Sequence, residues 1–77
     1  MEKDVYLKEL GNQIRKLRKS KGLSQEQLAL NAGVDRSYIG GIERGERNVS
    51  FLTLVKIAEC LECDIACFTK GIPNGER

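Results

Sequence analysis

The sequence predicts an all-α fold, a compact domain of five short helices. Three observations carry that reading. Apolar residues recur at three- and four-residue intervals and do not alternate over any long run. A helix-start signal, a capping residue with an apolar residue before it and another after it, occurs four times in succession. The chain has 77 residues, 40% hydrophobic and 31% charged, an ordinary globular balance with room for one small core.

The first helix is expected over about 5–20, with Tyr6, Leu10, Ile14 and Leu17 as its apolar stripe. Residues 15–21, RKLRKSK, contain five cations and no acid. Gly22 ends the helix, where a left-handed residue is favoured. The second helix is expected over 24–31: Ser24 caps it, Gln27 completes a capping box, and Leu23 and Leu28 form a hydrophobic staple. Asp35 caps a third helix over 35–43, with Val34 and Ile39 as the staple. Ser50 caps a fourth over 50–61, with Val49 and Leu54, and Asp64 caps a fifth over 64–69, with Cys63 and Phe68. The expected core is Leu10, Ile14, Leu17, Leu28, Ala29, Val34, Ile39, Ile42, Leu54, Ile57, Ala58, Leu61, Ile65 and Phe68. One domain over 1–70 is expected, followed by a flexible tail, GIPNGER, over 71–77.

Several function classes lack their residues. The chain has no histidine, so no Ser-His-Asp or Cys-His arrangement can form within it. It has no phosphate-loop motif, and a domain this small offers little pocket, so an enzyme is not expected. Cys60, Cys63 and Cys67 are an odd count and fall short of a four-ligand zinc site, so they read as small hydrophobes, with no metal and no cofactor. No apolar run approaches the roughly 18 residues of a membrane span. The opening MEKDVYLKEL is mixed in charge and does not read as a signal peptide. A cytoplasmic protein without membrane or small-molecule partner is expected.

Charge points elsewhere. The net charge is only +2, but Arg15, Lys16, Arg18, Lys19 and Lys21 concentrate positive potential, while 51–77 carries three basic and four acidic residues. Such a patch attracts polyanions; basic residues also simply suit the C-terminus of a helix. The stretch LSQEQLALNAGVDRSYIGGIERG adds a second signal: two short helices joined at Gly33, with small Ala29 and Ala32 allowing close approach. That spacing fits a helix-turn-helix over 24–43, whose second helix enters the major groove, and it also fits a plain helical hairpin. In the third helix the apolar Ile39 and Ile42 leave Arg36, Ser37, Gly40, Gly41 and Arg44 facing away from the core. Arg36 and Ser37 lie in its first turn, where arginine can donate twice to guanine and serine can bond to either pair. Gly40 and Gly41 cost a helix interior about 1 kcal/mol each against alanine. Close approach to DNA, close helix packing and a frayed end all remain open as the compensation.

GLSQEQLALNAGVDRSYIGGIERGERNVSFLTLVKIAECLECD resembles the lambda Cro/repressor-type helix-turn-helix domain, the XRE family, over roughly residues 8–69. Within it, DRSYIGGIERGERNVS is similar to the controller proteins of type II restriction–modification systems. The resemblance implies a compact five-helix lambda-repressor-like fold. It implies base contacts from Arg36, Ser37 and Gly40, and backbone contacts from Gln25, Tyr38, Arg44, Arg47, Asn48 and Arg18. It also implies a structural ion pair between Arg18 and Glu43. The function implied is a sequence-specific regulator of transcription on double-stranded DNA, bound to the nucleoid and autoregulatory in a restriction–modification system. A phage-type or chromosomal repressor, or an interaction module such as an antitoxin, is the alternative.

One recognition helix reads few base pairs, so a homodimer on a pseudo-palindromic operator is expected, with two dimers on adjacent sites and a contact with RNA polymerase as further partners. The expected dimer surface is Leu52, Val55, Leu61, Ala66 and Cys67, from the apolar surplus of the C-terminal part.

Overall fold

Two of the four expected caps close with side-chain hydrogen bonds, and two do not. The computed structural model describes residues 3–74. It contains α1 (Lys3–Ser20), α2 (Gln25–Ala32), α3 (Arg36–Glu43), α4 (Phe51–Cys60) and α5 (Ala66–Thr69), and no strand among the described residues. Ser24 forms the full capping box: its Oγ accepts from the Gln27 N–H at 3.0 Å, and its own N–H donates to Gln27 Oε1 at 2.8 Å. Ser50 Oγ accepts from the Thr53 N–H at 3.1 Å. Asp35 makes no such bond, because its carboxylate accepts the nearer Ser37 hydroxyl. Asp64 is displaced as the cap of α5 by Ile65, which makes no side-chain cap bond.

Ile14, Leu28, Ile39, Ile42, Ile57, Leu61 and Phe68 are fully buried, so every helix contributes to one core. Burying side chains of this size stabilises the fold by about 1.5–3 kcal/mol each. Leu17, Val34, Leu54 and Ile65, expected inside, are half-buried at its margin. Ala32, expected only to allow close approach of the helices, is also buried. α1 packs on α3 and α5, and α2 packs on α3 and α4. Ile72 also packs against the core, and its N–H donates to the Thr69 carbonyl at 2.9 Å. The fold thus extends past the boundary expected at residue 70; residues 75–77 lie outside the described residues.

The turn from α4 to α5 contains a local conflict. Cys63 N–H bonds the Ala58 carbonyl at 3.0 Å, the bond that follows a left-handed C-terminal residue. That residue is Glu62, at φ 57°, the only non-glycine residue at positive φ among the described residues. Its exposed ion pair with Lys21, at 3.9 Å, is worth little. Glu62→Gly is therefore expected to stabilise the domain by about 1 kcal/mol. A higher urea midpoint with unchanged slope is the expected readout; a lower midpoint would show that the Lys21 contact outweighs the backbone conflict.

Candidate nucleic-acid interface

Gly33 ends α2 at φ 72°, and the Val34 N–H folds back onto the Ala29 carbonyl at 3.0 Å. The chain reverses there, and a β-carbon would strain the left-handed backbone. Ala29 and Ala32 are both buried, so short side chains lie along the inner side of α2. The same bend turns the first residues of α3 outward.

Arg36 and Ser37 are exposed, and with Gln25, Asp35, Gly40 and Arg44 they line one open cleft. Arg36, Gly40 and Arg44 follow one another at four-residue steps along α3; Ser37 and Gly41 form the neighbouring row. Arg44 is exposed and pairs with Glu46 at 3.1 Å. Ser37 Oγ donates to the Asp35 carboxylate, which holds the hydroxyl at the cleft rim. Tyr38 is half-buried, and the Arg47 guanidinium lies over its ring, 5.9 Å from the centroid. Asn48 is exposed in the following loop.

The back of α3 is anchored by a buried ionic network. Arg18 Nε donates to Glu43 Oε2 at 2.7 Å and Arg18 Nη2 to Glu43 Oε1 at 3.0 Å. Gln25 Nε2 donates to the same Oε1 at 3.0 Å, and Arg18 Nη1 to the Leu23 carbonyl at 2.8 Å. Glu43 thus ties α1, the start of α2 and the end of α3 into one unit.

A family model described as helix-turn-helix matches residues 14–66. The chain belongs to the lambda Cro/repressor (XRE) helix-turn-helix family. This helix-turn-helix chain is 45% identical over 56 residues to Control protein C.SmaI of Serratia marcescens, covering 73% of the chain and 67% of that protein. It is similar to the crystal structure of the restriction–modification controller protein C.AhdI from Aeromonas hydrophila, with 48% identity and a TM-score of 0.79 over 80% of this chain and 94% of that one. It is also similar to the C.Esp1396I controller tetramer in complex with its natural 35-base-pair operator: 38% identity and a TM-score of 0.76 over 84% of this chain and 86% of that one.

Two expectations for this helix-turn-helix domain need correction. Arg18 cannot serve as a DNA backbone contact, because its side chain is 8% exposed and its guanidinium is spent on Glu43 and the Leu23 carbonyl. Leu61 is absent from any available dimer surface, since it is fully buried with Ile57 and Phe68 in the core. Gly40 has little exposed surface of its own but lines the same cleft as Arg36 and Ser37, with Arg44 Nη1 and Gln25 Oε1 beside the place its β-carbon would take. Leu52 is 71% exposed, Ala66 and Cys67 are exposed, and Val55 is half-buried. Phe51, next to Leu52, is 67% exposed and lies outside the Leu54–Ile57–Ala58–Leu61 row.

The cysteines are free thiols. Burial pushes the Cys60 thiol above its ordinary range, with nearby Glu59 adding to it. Burial likewise raises Cys63, followed by its hydrogen bond with Cys67. Both changes disfavour the nucleophilic thiolate. Among the described residues no helix is long and apolar enough to cross a membrane.

Proposed function

We propose that this chain is a sequence-specific duplex-DNA-binding regulator of the restriction–modification controller type. It acts by binding rather than by catalysis, in the cytoplasm. The observation that carries the reading is the exposure of Arg36 and Ser37 in the first turn of α3, at a cleft shared with Gln25 and Arg44. Arg36 reads guanine through two parallel hydrogen bonds, and Ser37 bonds an adjacent base edge. Gln25, Tyr38, Arg44, Arg47 and Asn48 meet sugar and phosphate, which fixes the register without reading sequence.

The functional unit is a homodimer formed through apolar side chains of α4 (Phe51, Leu52, Val55) and α5 (Ala66, Cys67), which covers exposed apolar surface and doubles the number of base pairs read. Support for loading of two dimers on adjacent sites comes from the related C.Esp1396I tetramer on its operator. Control then responds to protein concentration, and activation adds a contact with RNA polymerase.

Selection from random duplexes at physiological salt is expected to return a pseudo-palindrome. On the selected site Arg36→Ala is expected to cost about 1–3 kcal/mol per half-site and to relax preference at one base position in each. Gln25→Ala is expected to weaken selected and random duplexes alike. No enrichment by the folded wild type would refute the function, and equal loss on both duplexes for Arg36→Ala would refute its base-reading role.

A further inference from the structure

The paired glycines of α3 are costly in a helix interior, and the surroundings of Gly41 identify what compensates. A β-carbon built on Gly41 would stand 2.9 Å from Arg47 Cγ, 3.3 Å from Nε and 3.6 Å from Cδ. The Arg47 stem therefore lies across α3 in the space that any other residue would fill. Gly40 differs, because the closest atom there is the tip of Arg44, Nη1 at 3.1 Å, and a tip can give way. The Arg47 Cγ sits near the root of its side chain. It cannot retreat unless the whole side chain rotates about its first torsion, and the guanidinium then leaves the Tyr38 ring.

We propose that Gly41 is a positioning residue for nucleic-acid binding: by lacking a side chain it seats Arg47 against the recognition helix and fixes that cation beside the outward row of Ser37. The inference rests on the DNA-binding reading above and deepens it. Arg47 belongs to the loop after α3, and a loop arginine left free must lose its rotamer freedom when it meets a phosphate. Here the stem is held at Gly41 and the head over Tyr38 before any ligand arrives. The seat explains why the chain tolerates glycine at a position with no positive φ and no turn.

Two measurements test this, one of them without DNA. In the free wild-type protein, nuclear Overhauser contacts are expected between the Arg47 methylene protons and the Gly41 α-protons. Binding to the selected duplex is then measured between 50 and 200 mM salt for wild type, Gly41→Ala, Arg47→Ala and the double variant. Loss of one phosphate contact per protomer, two per bound homodimer, makes the slope of log affinity against log salt shallower by roughly 1.8. Both single variants are expected to show that change, and the double variant no further change, with helical content retained in all four. Absent proton contacts, a wild-type slope in Gly41→Ala, or additive losses in the double variant overturn the inference while the DNA-binding function stands. A wild type that binds no duplex overturns the function itself, and the inference with it.

Discussion

Glu43→Ala is expected to destabilise the domain by about 3–5 kcal/mol, the cost of leaving a buried charge unpaired. The Glu43 carboxylate accepts three hydrogen bonds, two from Arg18 and one from Gln25. The side chains of Arg18 and Glu43 are 8% and 3% exposed, so water cannot replace the missing partner without opening the contact between α1 and α3. A domain of this length has a total stability of roughly 4–12 kcal/mol, so the variant is expected to be marginal at room temperature. The charge pair itself contributes far less, because both groups lose their hydration on folding. Replacing both partners, Arg18→Met with Glu43→Leu, is accordingly expected to recover most of the loss. Urea denaturation of the two single variants and the double variant separates the terms. A single-variant loss below about 1 kcal/mol would place the network in effective contact with solvent. Binding should fall with the unfolded fraction and with the released Gln25, equally on all duplexes, with base preference unchanged.

The Arg18–Glu43 partnership was legible because a basic first helix and a glutamate at the end of the recognition helix belong to the family pattern. The conflict at Arg18 was equally legible. One guanidinium cannot hold Glu43 in the interior and also reach a DNA phosphate, and the structure assigns it to Glu43. Ser24 and Ser50 were readable as caps from local sequence alone. Asp35 was readable as the N-cap position of α3, but its missing cap bond was not, because Ser37 competes for its carboxylate through a side-chain contact that propensity does not register. Leu61 fitted two roles in the sequence, core and interface, and periodicity could not choose between them. Its position just beyond α4 buries it with Ile57 and Phe68. The two glycines of α3 were visible as a cost, but their use depends on where Arg44 and Arg47 return in space. Separation along the chain carries no such information. Gly11 shows that limit most sharply: nothing about a glycine in the middle of an amphipathic helix says which neighbour requires it.

Gly11→Ala is expected to destabilise the fold by about 2–3 kcal/mol, although alanine is the better helix former by about 1 kcal/mol. Gly11 is buried in α1, where α1 crosses the end of α3. A β-carbon there would overlap the Ile42 carbonyl oxygen, and would lie 2.7 Å from the Glu43 carbonyl oxygen and 2.9 Å from its carbon. These are backbone atoms. Unlike the tip of a flexible side chain, they move only if α3 moves as a body or its last turn opens. Overpacking of a well-filled site costs about 1–3 kcal/mol and occasionally more, and rigid neighbours place this case at the upper end, beyond what helix propensity returns. The strain falls on the residue that holds Arg18, so Gly11→Ala and Glu43→Ala are expected to be strongly non-additive: once α1 has been lifted off α3, little of the ionic network remains to be lost. A urea midpoint lowered in Gly11→Ala, with a double-variant loss well short of the sum, is the expected result. A Gly11→Ala domain as stable as the wild type or more so would mean that α1 and α3 can separate freely, and that Glu43 rather than close backbone contact sets the position of the recognition helix.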